Sequence, residues 1–259
     1  MRKPALATII LAMAMAMAMP AAAKAPARGS ADVAAAVAAP GRPKAATDLD
    51  EVRKPVETLR FMGLKKGDRA LDYFTGTGYY AEIMARSVGP GGHVVGWNSA
   101  SFARREPVVK ALADIRSRNS NTAFYSSPST AIAFAPNSFD FALLHLVYHD
   151  AYWESAQFGL PRIDPNTVVK AIWDAVKPGG IVAVVDHVAP PGGDTREVVE
   201  KLHRIDPAVV RADFERAGFV LEAQSDLLRV PADDHSKNVF DPSIRGRTDR
   251  FVYRFRKPR

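Results

Sequence analysis

Short apolar runs alternate along the chain with stretches whose apolar residues recur at helical spacing. Ala70 to Tyr73, His93 to Trp97, Asn121 to Tyr125, Phe139 to Leu144 and Ile181 to Val185 are compact enough to be strands. The run Phe139–Leu144 is nearly continuous in apolar residues, the pattern of a strand covered on both faces. Between these runs, Tyr80, Ile83, Met84 and Val88 fall on one helical face. So do Val108, Val109, Leu112 and Ile115, and later Val168, Val169, Ile172, Trp173 and Val176. Val52, Val56 and Leu59 predict an earlier helix over Asp50–Gly63, with Pro55 in its first turn and Gly63 as its stop. Pro207 to Ala217 reads as a further helix, and Phe219–Ser225 and Arg250–Phe255 as a closing antiparallel pair. Seven strands with helices between the first five require parallel pairing with right-handed crossovers. The expected architecture is an α/β domain: a seven-stranded, mostly parallel sheet with helices on both faces and the last strand antiparallel.

The amino terminus does not belong to this pattern. Arg2 and Lys3 precede an uncharged run from Pro4 to Met19, followed by Pro20-Ala21-Ala22-Ala23. That is the layout of a secretory signal peptide over residues 1–23, with an apolar part too short for a comfortable membrane span. It predicts a periplasmic or secreted protein with no stable membrane insertion once the signal is cleaved. Residues 24–47, rich in Ala, Pro, Gly, Lys and Arg, read as a flexible linker, which leaves 48–259 as the folded domain. The chain has no cysteine, so disulfides, thiolate metal sites and cysteine nucleophiles are excluded. Its formal charge of +7, or +5 without Arg2 and Lys3, is scattered rather than gathered into a basic block interleaved with aromatics. Solvated surface explains this charge better than nucleic-acid binding.

The first strand leads into Asp72-Tyr73-Phe74-Thr75-Gly76-Thr77-Gly78 and then directly into a helix. Strand, tight glycine turn and helix start is an arrangement that aims backbone N–H groups at a ligand, and glycines permit positive φ and close approach. The stretch resembles motif one of the class I S-adenosylmethionine-dependent methyltransferases, Asp-x-Gly-x-Gly-x-Gly, with Phe74 in place of the first glycine. Asn137–Leu144 resembles the family's fourth motif, and Lys177-Pro178-Gly179-Gly180 before an apolar strand is also typical. More narrowly, Tyr148-His149-Asp150, Val185-Asp186-His187, Leu202–Pro207 and Phe240–Asp249 resemble a family of exported bacterial predicted methyltransferases. The resemblance covers about Val52 to Phe255 and implies a Rossmann-like fold with S-adenosyl-L-methionine as cofactor. It implies cofactor contacts by Asp72, Thr75, Gly76, Thr77 and Gly78, with Asn98 near the ribose and the Ser126–Ser127 loop near adenine. Asn98 stands where the family has an acidic residue, so that contact lacks the strength of a carboxylate.

Chemistry at the acceptor is expected outside the carboxyl ends of the strands, where ligands collect in an open α/β sheet. Four of the six histidines, His145, His149, His187 and His203, fall in connections on that side. The favoured catalytic reading makes His149 or His187, oriented by Asp150 or Asp186, a general base on an acceptor hydroxyl or amine. A divalent metal is a second reading, but no ligand spacing singles one out and no metal is expected. Satisfied structural polar groups are the third. The expected function is methyl transfer to a small-molecule acceptor. A catalytically inactive binding or scaffold protein is the alternative, favoured by Phe74 and Asn98. A nicotinamide-dependent oxidoreductase is disfavoured for want of a complete Gly-x-Gly-x-x-Gly.

Overall fold

A computed structural model describes residues 29–259; the expected signal peptide lies outside the described residues. The sheet comprises β1 (Arg69–Tyr73), β2 (His93–Ser99), β3 (Thr122–Ser127), β4 (Phe139–His145), β5 (Val176–His187), β6 (Val220–Ser225) and β7 (Arg250–Arg256). Its order is β3-β2-β1-β4-β5-β7-β6. Strands β1 to β5 pair in parallel, and β7 runs antiparallel to both β5 and β6. This is the expected Rossmann-like sheet. The chain lays β2 and β3 on one side of β1 and then returns to place β4 on the other, so the switch point falls between β1 and β4.

The apolar runs are strands because both faces of the sheet are covered. Leu71, Trp97, Ala142, Leu144, Val182 and Val184 point into one core, and Ala70, Val94, Phe141, Leu143, Ala183 and Val185 into the other. Alternation at period two therefore buries both sets. The Lys177–Gly180 stretch loops out of the β4–β5 ladder, whose register jumps from Phe139↔Val176 to Phe141↔Ile181. Glycine is needed there: a Cβ on Gly180 would sit 2.9 Å from the Lys177 carbonyl oxygen.

Two amino-terminal expectations are revised. The segment read as a flexible linker is ordered from Gly29 onward. Val33–Ala38 is a helix with Val33 and Ala36 buried. The buried Arg42 donates two 2.7 Å hydrogen bonds to the carboxylate of Asp50. Alanine-rich composition hid this, because an alanine face can pack closely although it carries little hydropathy contrast. The single helix expected over Asp50–Gly63 is broken into Asp50–Arg53 and Pro55–Met62 by Lys54 at φ 42°. Proline disfavours the α conformation in the residue before it, so the chain turns at Lys54 and restarts with Pro55 as first helical residue. That turn brings Arg53 to the switch point.

Candidate active site

A cavity of about 420 Å³ opens at the switch point, within the range of small-ligand pockets. Asp72, Phe74, Thr75, Gly76 and Thr77 line it from the end of β1, and His145, Leu146, Val147, His149 and Asp150 from the end of β4. A larger hollow of about 1170 Å³ lies at the other end of β1, beside Lys66 and Gly67. Two of its cations, Arg86 and Arg118, are already committed to Glu82, whereas the smaller cavity gathers histidines and carboxylates.

On the β1 side, the turn is held from within. Thr75 Oγ1 donates to Asp72 Oδ2 at 2.5 Å, and the Gly78 N–H donates to the Thr75 carbonyl at 2.9 Å. Burial pushes the Asp72 carboxyl up to about 7, with the Thr75 hydroxyl, the Ala81 N–H and the Arg53 charge pulling the other way. Arg53 lines the same cavity, its guanidinium 4.4 Å from the centroid of the Tyr79 ring. The Tyr79 hydroxyl in turn donates to Asp50 at 2.6 Å, so the docked amino-terminal segment braces the arginine. Phe74, in the place of a motif glycine, adopts φ 54° and packs its ring against Trp97 and Phe102. It forms a wall of the cavity and does not fill it.

The two glycines have different roles. A Cβ on Gly76 would meet nothing within 4 Å, so its space is open. A Cβ on Gly78 would lie 2.4 Å from Ile115 Cδ1 and 3.1 Å from Leu112 Cδ2, on the helix Glu106–Arg118. Gly78 therefore serves packing, and it does not line the cavity. Both residues have positive φ, 61° and 85°. Gly76→Ala is expected to cost about 1–2 kcal/mol of stability from backbone strain alone. Gly78→Ala adds overpacking and is expected to cost about 2–4 kcal/mol. Paired urea melts of the two variants measure the difference.

Asn98 and Ser127, expected near the ribose and the adenine, do not line this cavity. Asn98 is buried, and both ends of its amide are spent on one residue: Oδ1 accepts from the Gly76 N–H at 2.9 Å and Nδ2 donates to the Gly76 carbonyl at 3.0 Å. It braces the turn. Ser127 Oγ accepts from Trp97 Nε1 at 3.1 Å and so pins the indole. Neither role is visible without the fold, because each partner is more than twenty residues away.

On the β4 side, four imidazoles and two carboxylates converge. Asp186, fully buried at the end of β5, accepts from the His149 N–H at 3.0 Å and the His187 N–H at 2.8 Å. Its Oδ1 also lies 2.7 Å from His149 Nδ1. His187 Nδ1 lies 2.7 Å from Thr248 Oγ1. Burial opposes charge on the His149 ring, but the carboxylates of Asp186 and Asp150 outweigh it and raise its pKa to about 9. Burial pushes the Asp150 carboxyl up to about 6, with His149 opposing and Asp186 adding to the rise. Burial and the neighbouring His149 charge hold His203 down to about 3 and His187 well below its usual value. His145 is likewise kept neutral by burial and by Arg53 and Arg250. At neutral pH His149 thus carries the charge and the other three rings are neutral, so His187 has a free ring nitrogen where His149 does not, while burial weakens it as a base.

The loop that carries His149 and Asp150 is firmly anchored. Tyr148 and Tyr152 both donate to Asp213, at 2.7 and 2.5 Å, on the helix Pro207–Arg216. Among the lining residues that the sequence did not single out, Arg53, His203 and Phe240 matter most. Arg53 lay in a presumed continuous helix. His203 joined the histidine group but was not singled out, because the helix Thr195–Leu202 that delivers it was not foreseen. The Asp194 side chain, which caps that helix by accepting from the Arg196 and Glu197 N–H groups, was the available signal. Phe240 arrives from the long β6–β7 connection at the cavity rim and packs 5.0 Å from His203.

The strand order, the switch-point cavity and the glycine turn that follows Asp72 define a class I S-adenosylmethionine-dependent methyltransferase fold. The family described as "Methyltransferase domain" matches residues 64–226, and the chain belongs to it. It is 30% identical over 138 residues to a demethylmenaquinone methyltransferase of Listeria monocytogenes, covering 52% of this chain and 51% of that one. The chain thus spans about half the length of the curated relatives it matches. Among solved structures, a SAM-dependent methyltransferase from Aquifex aeolicus superposes with a TM-score of 0.55 at 18% identity, covering 81% of this chain and 98% of its own. The phosphoethanolamine N-methyltransferase 2 of Haemonchus contortus, in complex with S-adenosyl-L-methionine, gives 0.56 at 17% identity, covering 80% of this chain and 53% of its own. At these identities the structural likeness concerns the fold.

Proposed function

We propose that the protein transfers a methyl group from S-adenosylmethionine to a small acceptor with an aromatic or quinol-like ring, at an oxygen or an acidic carbon. The observation that carries this reading is the division of one cavity into two chemically distinct halves. Arg53 and Asp72 on one side match the carboxylate and ammonium of the methionine end of the cofactor. The open backbone at Gly76 gives it close approach. S-adenosylmethionine supplies an electrophilic methyl group carried on a sulfonium.

The protein's own contribution is positioning, which can account for about 7–11 kcal/mol of a barrier when two reactants are held aligned. Tyr80, Phe74, Phe102 and Phe240 present aromatic surface to the acceptor and exclude water from the reacting centre. His187, with Nδ1 engaged by Thr248, retains Nε2 to take up the acceptor's proton. The aromatic lining and the half-length similarity to demethylmenaquinone methyltransferases support the acceptor class. The character of residues 1–23 supports export, and the mass of the mature protein would place its first residue near Lys24.

Calorimetric titration tests the reading. Saturable binding of both S-adenosylmethionine and its demethylated product is expected, together with a loss of affinity in Arg53→Ala. Failure of both ligands to bind the folded protein would overturn it.

A further inference from the structure

We infer that His149, Asp150 and His203 form a site for a divalent transition-metal ion that opens into the cavity. Asp150 Oδ1 lies 3.5 Å from His149 Nε2 and 3.4 Å from His203 Nε2, and the three atoms all lie within 4.8 Å of one another. Metal–nitrogen and metal–oxygen bonds of about 2.1 Å at tetrahedral angles separate ligand atoms by about 3.4 Å. The two nitrogen-to-oxygen separations already have that spacing. Neither contact is a hydrogen bond, and Asp150 Oδ1 is buried with no hydrogen-bond partner. A carboxylate oxygen buried without a hydrogen bond costs free energy, and a cation between the three atoms lowers that cost.

The surroundings hold the ligands in place. His149 Nδ1 is bound to the buried Asp186, a carboxylate–imidazole pair that orients the ring, and an ion at Nε2 takes the place of the proton that this ring otherwise carries at neutral pH. Asp186 is fixed by the two backbone N–H groups it accepts, so the His149 ring has little freedom to turn. His203 ends the helix Thr195–Leu202 at φ 56°, a left-handed position where glycine is the unstrained choice. Its ring is packed among His149, Trp153 and Phe240 at centroid distances of 4.4, 4.7 and 5.0 Å. A strained backbone that delivers an imidazole to the carboxylate makes sense if the ring itself is needed there.

The donor set selects the ion. Two imidazoles and one carboxylate suit zinc, cobalt, iron or manganese better than magnesium or calcium, which favour all-oxygen shells. Three protein ligands leave at least one coordination position, and all three residues line the cavity, so that position faces the space assigned to the acceptor. Binding of the ion does not depend on methyl transfer. Its use, to hold an acceptor oxygen near His187, rests on the function proposed above.

Cobalt(II) provides the test, because its visible absorption reports ligand number and geometry directly. Chelator-stripped full-length protein titrated with Co²⁺ is expected to develop visible bands that saturate at one ion per chain and are displaced by Zn²⁺. Asp150→Asn and His203→Asn are each expected to weaken Co²⁺ binding at least tenfold. His93→Ala, at the start of β2, is expected to leave it unchanged. Asparagine tolerates the left-handed backbone at position 203, and circular dichroism with S-adenosylmethionine calorimetry on both variants verifies that the fold and the cofactor side survive. No Co²⁺ bands in a protein that binds S-adenosylmethionine would overturn the metal site and leave the proposed function standing. Bands that persist in both variants would also overturn it.

Discussion

Replacing Asp72 by asparagine is expected to weaken S-adenosylmethionine about 10- to 150-fold while leaving the fold intact. The range follows from the 1.5–3 kcal/mol that a hydrogen bond to a charged group contributes, converted at about 1.4 kcal/mol per tenfold. Burial raises the Asp72 pKa to about 7. A cationic ligand favours the ionised form, so affinity in the parent protein is expected to rise about tenfold between pH 6 and pH 8. Asp72→Asn removes that dependence. The stability effect has the opposite sense. The folded-state pKa lies above the unfolded value, so the folded protein binds this proton more tightly, and the associated stability is present at low pH. It is lost as pH rises from about 4 to about 7, by on the order of 4 kcal/mol. Above pH 7 the variant should therefore melt no lower than the parent. Calorimetry across pH and a thermal melt at pH 8 check the two halves. A variant with unchanged affinity would remove Asp72 from the cofactor site.

The largest expected effect on stability lies away from the cavity. Arg204 is fully buried and donates to both oxygens of Asp233 at 2.9 Å, as well as to the carbonyls of Lys237 and Val188. Asp233 also accepts from the N–H groups of His235 and Asp249. This pair ties the long β6–β7 connection to the segment that carries His203. Arg204→Met fills similar volume but leaves a buried carboxylate without its cation, at an expected cost of about 3–5 kcal/mol. For a domain of this size that lowers Tm by about 6–20 °C. The double variant Arg204→Met/Asp233→Leu should recover part of the loss, because the uncompensated charge is then gone. A melting temperature within a degree or two of the parent's in the single variant would show that the pair is not what holds this connection.

Local pattern was sufficient for the sheet. Residues 139–144 and 181–185 are apolar at nearly every position because a strand inside a parallel sheet is covered on both faces, and that requirement is written in adjacent residues. The turn at Asp72–Gly78 was equally legible, since its glycines answer to backbone angles that neighbours along the chain impose. The helix break at Lys54 was foreseeable from Pro55, yet the apolar spacing across it masked the signal.

Distant partners decided the rest. Asn98 has the right position for a ribose contact, but its amide is consumed by Gly76, 22 residues earlier. Gly78 reads in the motif as a cofactor contact, and in the fold Ile115 fills the space beside it. His203 and Asp150 are 53 positions apart and meet only because a strained helix end turns one imidazole towards the other's loop. Hydrophobic periodicity is a property of near neighbours, so the chain alone specified its strands, the helices between the first five of them and the class of ligand they receive. Which polar atoms are left free to act depends on what else reaches them through space, and that is set only when the sheet closes around its two cores.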